Sequence, residues 1–209
     1  YFSTIMVCLA AHFSSVWIVC ANSWMHTPAG HKIVGEGLSR RAVIVDFWAM
    51  VFNPSFLDRI SHVIIGCWLV GAFLVLSISS YYFLKKRFLT FAKRSFRIGL
   101  VMATISLLLQ GISGDSSAKG VAKNQPEKLA AIEGIYKTEK STPLTIIGLV
   151  NEKEEKIDYQ IALPGFLSFL VHGNFETPVQ GLDQFPKENW PPVKVVFHTY
   201  HLMIIFWCL

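Results

Sequence analysis

Two residues on separate apolar helices have the types and depths to hold an iron porphyrin. Asn53-Pro54 opens one helix, a capping residue followed by a proline at the first helical position. His62 lies eight residues beyond Pro54, about 12 Å along at about 1.5 Å per residue. Pro191-Pro192 opens a later helix in the same way, and Met203 lies eleven residues beyond Pro192, about 16 Å along. His plus Met is a known axial pair for a six-coordinate haem iron, and Met raises its potential. Spacing alone leaves other readings open. An intramembrane His also hydrogen-bonds neighbouring helices, and Met also fills core. His201 competes as a ligand, because His–His pairs hold haem too. Arg59, one turn before His62 on the same helical face, can meet either a haem propionate or a lipid headgroup.

A second constellation is a short helix between Asn124 and Gly134, with Pro126 near its start and Gly134 as its stop. Lys128 near the start and Glu133 at the end both oppose the helix dipole, at about 0.3–1 kcal/mol each. Residues set against a local preference point to function. A hydroquinone gives up two protons with its electrons, so its site needs a carboxylate to accept and a donor to hold the oxygen. Glu133 and Lys128 supply both. Five helical positions are about 140° apart, so the pair need not face one ligand, and a solvated amphipathic helix fits the same residues.

The elements that must carry these groups are membrane helices. Of 209 residues, 52% are apolar and 16% charged, with 16 Phe and 6 Trp, and the mean hydropathy is +0.43. A soluble domain carries about 25% charged residues, so a soluble enzyme and a disordered chain are both excluded. The net charge of +5 is not a nucleic-acid signature. Residues 1–113 balance at +7 and residues 114–193 at −3, and the excess is concentrated between Lys85 and Arg97, flanked by apolar runs. Charge in membrane proteins is distributed in this way.

Tyr1–Trp24 and Ile60–Leu84 contain no Asp, Glu, Lys or Arg. Ile98–Ser113 is a shorter run that a snorkelling Arg97 can lengthen, and Val195–Leu209 begins a fourth. Lipid demands internally paired backbone, which predicts an all-α membrane protein. It is a multi-pass transmembrane bundle of three full spans and the start of a fourth, with one long extracytoplasmic loop. The divisions are 1–113 (spans and short loops), 114–193 (outer loop) and 194–209 (start of the further span). The six Lys/Arg from Lys85 to Arg97 place that loop in the cytoplasm, which puts 114–193 outside. Ala42–Phe52 is too short to cross and reads as interfacial, and Ile161–Val171, broken at Pro164-Gly165, reads as a loop piece on the membrane surface. His12 in the first span reads as an interhelical hydrogen bond. The residues from Glu152 to Glu155 read as a solvated charge cluster. The four Cys lie in apolar runs without C-x-x-C spacing and read as inert. With no initiator Met and an apolar run cut at Leu209, the chain reads as an internal piece of a longer protein.

The motifs then converge. Ala21-Asn22-Ser23-Trp24-Met25, Asn53-Pro54-Ser55-Phe56, and His62 followed by Val70-Gly71-Ala72-Phe73 resemble subunit I of cytochrome bd-type quinol oxidase. Phe91-Ala92-Lys93-Arg94-Ser95-Phe96, Gly114-Asp115-Ser116, Lys128-Leu129-Ala130-Ala131-Ile132-Glu133, Thr177-Pro178-Val179-Gln180-Gly181-Leu182 and the Met203 region continue the match in order. It covers less than half of that subunit.

The resemblance implies that His62 and Met203 are axial ligands of a low-spin haem b. It implies that 114–193 is a quinol-binding loop of the shorter type, with Lys128 and Glu133 at quinol oxidation. It further implies a bacterial cytoplasmic-membrane enzyme that takes electrons from ubiquinol or menaquinol and reduces dioxygen to water. Its partner is subunit II, and a second haem b and a haem d are held by residues outside this chain, so the piece alone is expected to be inactive. Some members carry Arg where this sequence has His201. A cytochrome b-like anchor serving another complex, or a haem-free scaffold, are the other readings of the helices.

Overall fold

The computed structural model describes residues 1–208, with side chains through Phe206. Three helices are long and apolar enough to cross a membrane: α1 (Phe2–His26), α3 (Phe56–Leu84) and α4 (Leu89–Asn124). Each follows from a long apolar run whose backbone can pair only with itself in lipid. Ile5, Phe13, Trp17, Val70, Phe73 and Leu74 project outward and are exposed. In water such a surface would drive aggregation; in a bilayer it matches the solvent. The chain divides into two compact units, Tyr1–Ser117 and Ala118–Leu209, and α4 runs through the division.

In the first unit, buried Val19 and Cys20 of α1 pack on Val51 and Phe56. Polar groups join the same elements. Asn53 Nδ2 donates to Ser23 Oγ at 2.9 Å, and Thr27 Oγ1 donates to Ser55 Oγ at 2.8 Å. Lower in α1, Trp68 Nε1 donates to His12 Nε2 at 3.0 Å, so His12 serves as an interhelical hydrogen-bond partner. Between α3 and α4, Leu69, Ala72 and Ala103 form a small core. Here Gly99 permits close approach, because a Cβ would stand 3.2 Å from Leu76.

Several boundaries differ from the sequence reading. Helix α3 begins at Phe56, not at Pro54. Asn53 is not its cap, because its side chain is spent on Ser23, Met50 O and the Ser55 N–H. The α3–α4 connection is only 85–88, with Lys86 and Phe88 at positive φ, so Lys93, Arg94 and Arg97 lie in the first turns of α4. That helix then continues past Ser113 to Asn124.

The helical-bundle class stands, but the chain is not wholly α. Strands β1 (His31–Val34) and β2 (Arg41–Ile44) form a hairpin, followed by the short helix α2 (Phe47–Val51). Ala42–Phe52 is therefore strand, turn and helix, capped by Asp46 accepting from the Ala49 N–H at 3.0 Å.

The second unit has its own core, in which Leu129, Ala130, Ala131, Leu182 and Phe197 are buried together. After helix α5 (Pro126–Glu133), β3 (Leu144–Asn151) and β4 (Lys156–Leu163) pair antiparallel. Thr145, Ile146, Ile147 and Val150 favour the pleated surface, and the solvated charges at 152–155 form its turn. Ile161–Val171 is the end of β4, a Pro164-Gly165 corner and helix α6 (Phe166–His172). Helix α7 (Val193–Cys208) follows Pro191-Pro192.

Candidate functional site

His62 sits in the second turn of α3 and is half-buried against α4. Its Nδ1 lies 3.0 Å from Ser113 Oγ, and Gln110 Nε2 lies 2.8 Å from its Nε2. Gln110 Nε2 also lies 3.2 Å from Nδ1, but its shorter contact is to Nε2, and the partners together favour one tautomer. Ser113 Oγ donates to Gln110 O, so its oxygen is left to accept, and the proton of His62 belongs on Nδ1. Nε2 then carries the lone pair. Imidazoles that ligate metals are held in this manner, with one nitrogen donating to the protein and the other left for the metal. Gln110 Oε1 is buried without a partner among the described residues, so the amide is satisfied only at its nitrogen end. Gly114 lies beside the ring, where a Cβ would make ordinary contact, 3.7 Å from His62 Cε1. The donor set at His62 fits an axial haem ligand. Gln110 and Ser113 escaped the sequence reading, although a Gln inside an apolar run was the available signal.

Arg59 Nη1 donates to Asn22 Oδ1 at 2.9 Å, tying α3 to α1 near the His62 turn. Asp58 accepts from Ser116 Oγ at 2.8 Å and closes the same end of α3 on α4.

In the second unit, Met203 on α7 is 59% exposed, so its thioether is available to a ligand. His201 is otherwise committed. Its Nδ1 meets Phe197 O at 2.8 Å and its Nε2 meets Thr145 O at 3.1 Å, with the ring stacked on Phe197. Both nitrogens face carbonyl oxygens, to one of which a neutral imidazole donates, and these close contacts speak against His201 as the axial ligand.

Helix α5 is built as its sequence predicts. Pro126 starts it, and Gly134 ends it at φ +68°. A side chain at 134 would be strained by that φ and would bring a Cβ within 2.8 Å of Ile157. This corner holds Glu133 under the hairpin, only 8% exposed, with Oε2 lacking any partner among the described residues. Burial pushes its carboxyl up to about 7, opposed by charge on His201. Lys128 is half-buried in the first turn of α5.

Two cavities border α5. One, of about 420 Å³, is lined by Lys119, Lys123, Leu129, His172 and Gln180 among others. The second, of about 360 Å³, includes Glu133, Tyr136, Thr145 and Gln160. Glu133 and Lys128 thus share a helix but not a cavity, since Lys128 lines neither of these two.

A family model described as cytochrome bd terminal oxidase subunit I matches residues 1–209. A protein of Bacillus subtilis (strain 168), provisionally named cytochrome bd menaquinol oxidase subunit I, is 37% identical over 197 residues. That alignment covers 92% of this chain and 43% of the relative. Cytochrome bd-II ubiquinol oxidase subunit 1 of Escherichia coli (strain K12) is 33% identical, with 91% of this chain and 37% of the relative covered. The solved bd oxidase from Geobacillus thermodenitrificans superposes with a TM-score of 0.81 at 27% identity, over 96% of this chain and 45% of its own. The chain spans less than half the length of these relatives.

Proposed function

Because the chain belongs to the cytochrome bd terminal oxidase subunit I family, we propose that it forms the quinol-oxidising, low-spin-haem part of a bacterial membrane oxidase. The observation that carries this reading is Glu133: a buried carboxyl with one oxygen that lacks a partner among the described residues, in the segment proposed to meet the quinol. A carboxyl that holds its proton up to about pH 7 can, as the carboxylate, take a proton from a hydroquinone as its electron leaves, and return it to water near neutral pH at little cost. Lys128 is the companion donor for the quinol oxygen. The substrate is a membrane hydroquinone, ubiquinol or menaquinol.

His62 and Met203 would hold haem b. His62 Nε2 is free to ligate once the Gln110 amide turns aside, and Nδ1 stays anchored on Ser113. Arg59, fixed near the same turn, would pair with a propionate. The haem, when bound, supplies one-electron transfer away from the quinol. In the full protein a second haem b, a haem d and subunit II complete a path to dioxygen. The proposed divisions are spans through residue 113, an outer quinol segment over 114–193, and a further span from 194. The Lys/Arg excess near 85–97 supports a cytoplasmic placement for that turn, which puts the quinol segment on the outer face.

The test is Glu133→Gln in the complete oxidase. Quinol oxidation should fall by about a hundredfold or more, with the reduced-minus-oxidised haem spectrum unchanged. Wild-type activity in this variant would overturn the assignment.

A further inference from the structure

Two residues that line the second cavity each carry a buried oxygen without a partner among the described residues. Glu133 Oε2 and Tyr136 Oη both lack partners among the described residues, and the two side chains are only 8% and 5% exposed. Buried polar groups are almost always satisfied, by protein or by water. The other hydroxyls of this wall are satisfied by protein: Thr142 Oγ1 donates to Glu139 O at 2.7 Å, and Thr145 Oγ1 accepts from Gln160 Nε2 at 2.6 Å. A cavity of about 360 Å³ has the volume of about a dozen waters at about 30 Å³ each.

The lining changes character along its length. Glu133 and Tyr136 are buried, whereas Glu139 and Glu154 are exposed and Glu155 is half-exposed. Glu154 and Glu155 pair with Lys156 and Lys187, outside the buried part. Lys137 and Lys156 share this lining with the glutamates, and so polar and charged an opening suits water and protons far better than a quinol with an apolar tail.

We propose that this cavity is the proton exit of the quinol site, with Tyr136 as the relay between Glu133 and the carboxylate rim. The inference rests on the proposed role of Glu133. The proton leaves the Glu133 carboxyl for cavity water and regenerates the carboxylate. It passes through the Tyr136 hydroxyl, which accepts one proton as it gives up another, and reaches bulk water past Glu154 and Glu155. The electrons take the separate path to the haem iron of the complex. Burial, with Glu152 and Glu155 nearby, pushes the Tyr136 phenol up to about 12. It therefore stays a neutral O–H, suited to relay and unsuited to act as a base. Its ring lies 6.1 Å from that of Trp190, a contact that Tyr136→Phe preserves.

The experiment compares the complete wild-type oxidase with Tyr136→Phe, Glu154→Gln/Glu155→Gln and Glu133→Gln, using short-tail ubiquinol and menaquinol as probes in H2O and D2O. Tyr136→Phe should lower kcat about tenfold, leave KM and the haem spectrum unchanged, and enlarge the solvent isotope effect. The double glutamine variant should shift in the same direction by less. If both keep the wild-type kcat and isotope effect while Glu133→Gln is inactive, the exit lies elsewhere and the inference falls alone. If Glu133→Gln is as active as wild type, the quinol reading falls and the exit falls with it.

Discussion

Replacing Glu133 by Gln should alter the stability of the second unit in a strongly pH-dependent way. Its carboxyl titrates near 4.5 when exposed and at about 7 in the fold. A group whose proton affinity rises on folding stabilises the native state fully below pH 4.5, and that contribution fades as the pH climbs to 7. The interval corresponds to about 3 kcal/mol, at about 1.4 kcal/mol per tenfold change in proton affinity. At about pH 8.5 the wild type bears this cost of an ionised buried carboxylate, and the glutamine variant does not. At about pH 4 both side chains are neutral and of similar shape. The relative stability of the variant should therefore rise by about 3 kcal/mol between about pH 4 and pH 8.5, whatever its offset at low pH. The readout is hydrogen exchange of the α5 amides in the complete protein, comparing variant and wild type at each pH so that intrinsic exchange cancels. Equal protection differences at both ends would refute the claim that burial dominates at Glu133, and would mean that water or an unrecognised cation reaches Oε2.

Two further substitutions probe the supports of the site. Ser113→Ala removes the acceptor that holds His62 Nδ1 and should weaken haem retention by about 10- to 100-fold, measured as haem loss to a competing apoprotein; unchanged retention would mean that Ser113 does not orient the imidazole. Gly134→Ala places a Cβ at positive φ and within 2.8 Å of Ile157, so protection of α5 should drop by about 1–2 kcal/mol, and an unaffected α5 would show that the corner can relax.

The parts of this chain that were legible in the sequence are those fixed by local rules. An apolar run from Ile60 to Leu84 without Asp, Glu, Lys or Arg has almost no alternative to a helix in lipid, and the observed helix, Phe56–Leu84, adds only the turn that carries Asp58 and Arg59. Pro126 and Gly134 bracket α5 because each acts on its own backbone. Hairpin β3–β4 was harder to see. Its strands slip register around Ile147, which breaks the alternation that signals a half-buried strand. Its turn is made of charges, not of an Asn-Gly pair. The partners of His62 depend on how α3 meets α4, since Ser113 and Gln110 are 51 and 48 residues away. Asn53 shows the opposite error: its type and place suggest a cap, but α1 offers Ser23 to its side chain, and that tertiary contact wins.

The two halves of the proposed chemistry impose opposite demands on their surroundings. An electron can leave through an apolar span, where His62 needs only an anchored Nδ1 and a free Nε2. A proton cannot, because a charge in lipid costs several kcal/mol and must find water. Glu133 answers the second demand by its position. At the C-terminal end of α5 the helix dipole disfavours its negative charge, and burial under β3–β4 acts in the same direction. Burial is what raises its hold on a proton, to about 7 against the charge on His201, so its carboxylate can take a proton as the quinol is oxidised and release it near neutral pH. A carboxylate at the start of the same helix would be stabilised as an anion and would make a poorer acceptor. Burial at that position, unfavourable for an anion, suits Glu133 to the proposed passage of protons between quinol and water.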